Sequence, residues 1–172
     1  MSTQETKKPA MTALLGALQF AARKHCKHRR KSSDAPYINH LIAVAELLAR
    51  VGRVTDLATL QAEILHDSIE DTQTTPQELD DLFGQEVRLL VQEVTDDKSL
   101  PKEERKQLQI DGARALSTRA KQIRIADKIN NVGDMPADWP LQQMHDYLAW
   151  AEKVVAGCRG CNPELEHQFD LF

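Results

Sequence analysis

Ile64-Leu65-His66-Asp67-Ser68-Ile69-Glu70-Asp71-Thr72 runs from an apolar pair straight into an imidazole and three carboxylates. Leu57, Leu60, Ile64 and Leu65 lead into it at the spacing of one buried helical face, so His66-Asp67 falls where that face meets a cleft. Glu70 and Asp71 stand four residues beyond His66 and Asp67, which on a continuous helix puts all four on one side. Carboxylates crowded in this way repel one another unless a cation compensates them, and a divalent metal does so. The dipeptide alone decides nothing. His145-Asp146 repeats it beside Gln142, Gln143 and Tyr147 without added acids, and reads as the polar shoulder of an amphipathic helix.

Outward from this stretch the pattern stays helical. Leu14, Ala17, Leu18, Ala21 and Ala22 mark a first amphipathic stripe. Ser32 to Tyr37 is aperiodic, contains Pro36 and predicts a loop. A second helix is predicted from about Asn39 to Arg50, closed by Gly52. Thr55 or Asp56 caps the helix leading to His66. Thr75-Pro76-Gln77-Glu78 carries the full signature of a helix start, and that helix ends near Phe83-Gly84. Further helices hold Val87, Leu90, Val91 and Val94, start at Pro101, and start at Ser117. A last long one carries Leu141, Met144, Leu148, Ala151 and Val155. Nothing alternates with period two, so the expected fold is all-α with no substantial sheet.

The 172 residues suit one domain, read as residues 10–172 behind a disordered tail over residues 1–9. No apolar run approaches the roughly 20 residues of a membrane span, and the polar start lacks a secretory signal. Three cysteines argue against a disulfide framework and for a reducing, cytoplasmic setting. Within a net charge of −4, Arg23, Lys24, Lys27, Arg29, Arg30 and Lys31 cluster with His25 and His28. Such a run attracts a small polyanion. No helix-turn-helix or interleaved aromatic pattern accompanies it, so nucleic acid is not the expected partner.

His40, at the start of its helix, and Asp127, inside the apolar stretch Ile125 to Ile129, complete the candidate set. Asp127 also reads as an ion pair with Lys128 or Arg124, and His40 as a satisfied core histidine. Two imidazoles and two carboxylates suit Mn, Fe, Co or Zn better than Mg or Ca. Glu70 and Asp71 would then stay off the metal and handle the attacking water.

Arg29-Arg30-Lys31, Pro36-Tyr37-Ile38-Asn39-His40, the stretch from Ile64 to Thr72, Phe83-Gly84, Val94-Thr95-Asp96-Asp97-Lys98 and Ile125 to Asn131 follow in order. This set resembles the HD-type hydrolase domain of the RelA/SpoT family, in its stand-alone small alarmone hydrolase form, over about residues 12–160. The resemblance implies a single HD-domain helical bundle with one Mn²⁺ held by His40, His66, Asp67 and Asp127. It implies Glu70 and Asp71 as the catalytic acids, Arg30 with Lys31 at the guanine base, and Asn131 near the nucleotide. The implied reaction removes the 3′-diphosphate of (p)ppGpp, giving GDP or GTP and pyrophosphate. With no room for the family's synthetase or regulatory domains, the chain is expected only to degrade.

Alternatives keep the same site for another nucleotide, such as the 2′-phosphate of NADPH or adenosine alarmones, or make it a non-catalytic sensor. Intact Glu70 and Asp71 speak against the sensor. Asn131-Val132-Gly133 departs from the family's arginine at the third position, which places a phosphate contact in question. Tyr147 is a candidate for the substrate pocket, whereas Trp139 and Trp150 read as packing residues. Cys158-Arg159-Gly160-Cys161 has no second pair and reads as structural.

Overall fold

The computed structural model describes residues 9–172, and ten α-helices account for most of them. They are α1 (Ala10–Lys24), α2 (Ile38–Arg50), α3 (Leu57–Leu65), α4 (Ser68–Asp71) and α5 (Pro76–Phe83). There follow α6 (Gln85–Val94), α7 (Lys102–Gly112), α8 (Thr118–Gly133), α9 (Leu141–Cys158) and α10 (Pro163–Phe169), with a 3₁₀ turn at Ala113–Ala115. Extended pairing among the described residues is limited to one isolated bridge between Arg29 and Pro36. Of the expected tail, residues 1–8 lie outside the described residues. Among the described residues no helix is long and apolar enough to cross a membrane.

The starts expected from capping chemistry are present. Asp56 accepts from the Thr59 amide at 3.0 Å, Thr75 from Glu78 at 3.1 Å and Ser117 from Ala120 at 3.2 Å. Gly84 ends α5 at φ +88°, a conformation that side chains disfavour. Central to the assembly is α3, buried along nearly its whole length and packed against α1, α2, α6 and α8. Leu41, Leu48, Ile64, Leu65, Ile123 and Ile125 are fully buried there, in a core almost free of aromatic rings. Helix α8 crosses α2 and α3, so a polar residue on its inner face is buried where three helices meet.

Three expectations change. Phe20, rather than Ala22, completes the buried stripe of α1, and Ala22 is exposed. Leu141 is 74% exposed, because the first turn of α9 projects beyond the core. The added helix α10 packs on α8. Its signal, Asn162-Pro163, matches that of Thr75-Pro76: a capping side chain followed by proline at the first helical position.

Buried Asn162 also ties α10 to the turn after α2. Its amide donates to the Gly52 carbonyl at 2.8 Å, while its oxygen accepts from the Leu165 amide at 3.2 Å. Asn162→Ala loses both contacts and orphans a buried carbonyl. Urea unfolding should show a stability loss of about 2 kcal/mol.

Candidate metal centre and adjoining cavity

The helix expected to run through His66 to Asp71 breaks at the pair itself. α3 stops at Leu65, His66 and Asp67 form a turn, and α4 is a single turn. Asp67 sits at φ −91°, ψ 0°, a region frequented by active-site residues. The break separates the acids into two environments.

In the first, His40 from α2, Asp127 from α8 and the His66-Asp67 turn converge. One ligand atom from each of His40, His66 and Asp67 lies within 4.8 Å of the others. Asp127 Oδ1 is 3.3 Å from His40 Nε2 and 3.9 Å from His66 Nε2. Asp67 Oδ2 is 3.1 Å from His66 Nε2. The outward-facing ring nitrogens are tied back: His40 Nδ1 contacts Asn130 Oδ1 at 2.7 Å, and His66 Nδ1 contacts the Glu63 carbonyl at 2.6 Å. Both partners accept only, so Nδ1 donates in each ring and Nε2 is left as the ligating nitrogen. Nitrogen lone pairs then face carboxylate oxygens, an arrangement that a divalent cation satisfies. The donor set fits such an ion.

Without an ion, protons answer the same field. Burial pushes the His66 pKa down, but Asp67, by charge and hydrogen bond, and then Asp127 raise it to about 10. Burial would raise the Asp67 carboxyl, yet His66 holds it below the usual range. Burial opposes ionisation of Asp127 too, and Lys128, His40 and His66 overcome it. Asp127 does pair with Lys128, at 3.0 Å, through its second oxygen, while Asn131 donates to the first at 2.6 Å. Arg124 turns instead to the Val94 carbonyl at 3.0 Å. The Tyr37 hydroxyl donates to Asp67 at 2.6 Å.

In the second environment, Glu70 and Asp71 are matched by protein cations rather than by the histidine cluster. Lys98 reaches Glu70 at 3.3 Å and also pairs with Asp71, and Arg105 lies 3.9 Å from Glu70. The Asp96 amide donates to Glu70 at 3.1 Å. Burial is the leading cause of a raised Glu70 pKa. Lys98 stood inside a quoted motif, but its link to both acids is a tertiary contact.

A cavity of about 530 Å³ opens beside Asp71. Arg30, Lys31, Asn131 and Tyr147 line it, as do Arg29, Lys98 and Lys102. The cationic run therefore divides: Arg23 and Lys27 are exposed and outside this lining, and Lys24 pairs with Glu78 at 2.9 Å. Arg30 is tied to Asp134 at 2.9 Å and to Asn131 at 3.1 Å. Trp139 packs edge-on against Tyr147 at 5.7 Å and also lines the cavity. Trp150 is a packing residue, its indole N–H donating to the Lys106 carbonyl at 3.1 Å and its ring lying 4.6 Å from Lys128 Nζ.

Gly133 faces elsewhere. It lines a separate cavity of about 540 Å³ with Asn39, Glu46 and Arg50, and the Phe172 ring lies 3.4 Å from where its Cβ would stand. A Cβ there would meet the Phe172 ring, and Gly133 is not among the residues lining the cationic cavity. All three cysteines are free thiols, and burial raises Cys161 to about 11.

The match to the HD-domain model spans residues 17–148, so the chain belongs to the HD-domain family. Among its relatives is guanosine-3′,5′-bis(diphosphate) 3′-pyrophosphohydrolase MESH1 of Xenopus tropicalis, 48% identical over 91% of this chain and 90% of that protein. The human MESH1 is also 48% identical, over 89% and 88%. A solved metazoan orthologue of SpoT, described as hydrolysing ppGpp, superposes with a TM-score of 0.89 at 44% identity, covering 92% of each chain.

His25, interleaved in the cationic run, packs beside Tyr37, whose hydroxyl holds Asp67. It is buried, stacks on Tyr37 at 5.2 Å and contacts His28 Nδ1 at 3.0 Å. Burial depresses its pKa, with Asp67 opposing. The unfolded chain therefore takes up this proton first, and the contribution is lost as pH falls below about 6.5 toward the depressed folded value. Thermal melts should show His25→Phe losing less stability than wild type between about pH 7 and pH 5.

Proposed function

We propose that this chain hydrolyses the 3′-diphosphate of guanosine alarmones, converting ppGpp to GDP and pppGpp to GTP with release of pyrophosphate. The observation that carries the reading is the cavity beside Asp71, where five Lys and Arg side chains gather against two carboxylates, Asp71 and Asp134. Met135, Pro136, Trp139 and Tyr147 line it as well. Cations suit several phosphates, and the aromatic wall suits a purine. The relatives named above support the same substrate. Cations gathered into a cavity suit a small nucleotide better than a nucleic acid, and three free thiols suit a reducing cytoplasm.

In this reading His40, His66, Asp67 and Asp127 hold one divalent ion, and Mn²⁺ fits their mixed nitrogen and oxygen donors. Bound there, such an ion supplies Lewis-acid polarisation of a phosphoryl oxygen and acidifies water. Arg29, Lys31 and Lys102 hold the phosphates. Arg30, kept in place by Asp134 and Asn131, faces the base with Tyr147 and Trp139. Glu70 and Asp71 take a proton from the attacking water, and Lys98 fixes both carboxyls for that task. Water oxygen joins the pyrophosphate, the bond from phosphorus to the 3′-oxygen breaks, and the proton taken from water passes to that oxygen, which leaves as the 3′-hydroxyl.

Purified protein supplied with Mn²⁺ should release pyrophosphate from ppGpp and pppGpp faster than phosphate from NADPH, with products separated by ion exchange. Preferential cleavage of NADPH would overturn the substrate assignment. Asp127→Ala should lose bound metal and turnover together. Glu70→Gln combined with Asp71→Asn should retain the metal and lose at least about a hundredfold in kcat. Metal content by atomic absorption alongside kinetics separates the two effects, and expulsion of the ion by the double variant would refute the division of roles.

A further inference from the structure

Glu63 on α3 is 0% exposed, and neither of its carboxyl oxygens has a hydrogen-bond partner. Glutamate is almost never fully buried unless paired, because an unpaired polar group loses water without compensation. Its position explains the exception. Oε1 lies 3.6 Å from Nδ1 of His66, the same nitrogen that meets the Glu63 backbone carbonyl at 2.6 Å. Both acceptors of this residue therefore stand behind the ring, and Nε2 on the opposite side faces Asp67 and Asp127. The Ile64 and Leu65 side chains that follow are buried in the core, so the backbone carrying these acceptors is fixed.

We propose that Glu63 is a positioning residue for the metal centre, its carboxyl backing the Nδ1–H of His66 so that Nε2 is held toward the ion. This rests on the assignment of His66 as a ligand. A ring whose Nε2 binds a cation has a more polarised Nδ1–H, and an electron-rich oxygen beside it strengthens the donor and restrains ring rotation. His40 Nδ1 meets the Asn130 side-chain oxygen at 2.7 Å, so each imidazole has a side-chain oxygen on the face away from the cluster, hydrogen-bonded behind His40 and 3.6 Å away behind His66.

The test is Mn²⁺ affinity, read by electron paramagnetic resonance of the free ion, for the full chain and its Glu63→Gln and Glu63→Leu variants. Both variants should bind Mn²⁺ about tenfold or more weakly. The metal-free thermal midpoint of Glu63→Leu should equal or exceed wild type, because it removes an uncompensated buried carboxyl. Affinities within twofold of wild type in both variants would overturn the proposal, as would a lower metal-free midpoint with unchanged affinity. Failure of wild type to bind one Mn²⁺ per chain, or undiminished binding by His66→Ala, would instead overturn the ligand assignment itself.

Discussion

Three imidazole–carboxylate pairs, His40–Asp127, His66–Asp67 and His66–Asp127, stand less than 4 Å apart, each imidazole having its second nitrogen tied to an acceptor behind it. Tyr37 and Asn131 each donate one hydrogen bond to the aspartates, and the remaining lone pairs at the centre call for a proton or a cation. The rest of the molecule is arranged to enforce the convergence. α8 carries Asp127 into a helix crossing, where Lys128 and Asn131 fix both of its oxygens. α2 brings His40, and the end of α3 brings His66 and Asp67. A core of aliphatic side chains supplies the rigidity, since close-packed interiors resist the small shifts that would let the charges separate.

The break between α3 and α4 gives the acids of the candidate site two separate sets of partners. A continuous helix would have pressed Glu70 and Asp71 against the histidine pair. The turn instead directs them toward Lys98 and Arg105, and leaves the histidines with Asp67 and Asp127. In the proposed function, metal retention and water handling rest on different acids a few residues apart. The cationic cavity adjoins the second group, which is where a phosphate must lie if Asp71 is to act near it.

Much of this was legible in the sequence for identifiable reasons. Helix starts at Asp56, Thr75 and Ser117 depend on local hydrogen bonds within three residues, so their signals are local too. His40, His66, Asp67 and Asp127 were readable through their ordered motifs, although spacing alone cannot show that they meet. The break at His66-Asp67 carries no Gly or Pro, because tertiary packing rather than propensity sets it. The roles of Lys98, Asn130 and Trp139 are contacts between distant segments, beyond the reach of periodicity. Glu63 occupies a helical position that looks merely polar, and only its complete burial behind His66 reveals it. Asn162-Pro163 was a readable cap, masked by the CxxC beside it.

The central claim is that one divalent ion lies among His40, His66, Asp67 and Asp127. Anomalous diffraction from crystals grown with Mn²⁺ tests it without recourse to activity. The account predicts a single strong peak within about 2.0–2.3 Å of both Nε2 atoms and of an oxygen from each aspartate. A peak elsewhere, or direct hydrogen bonds filling the cluster under saturating Mn²⁺, would contradict it.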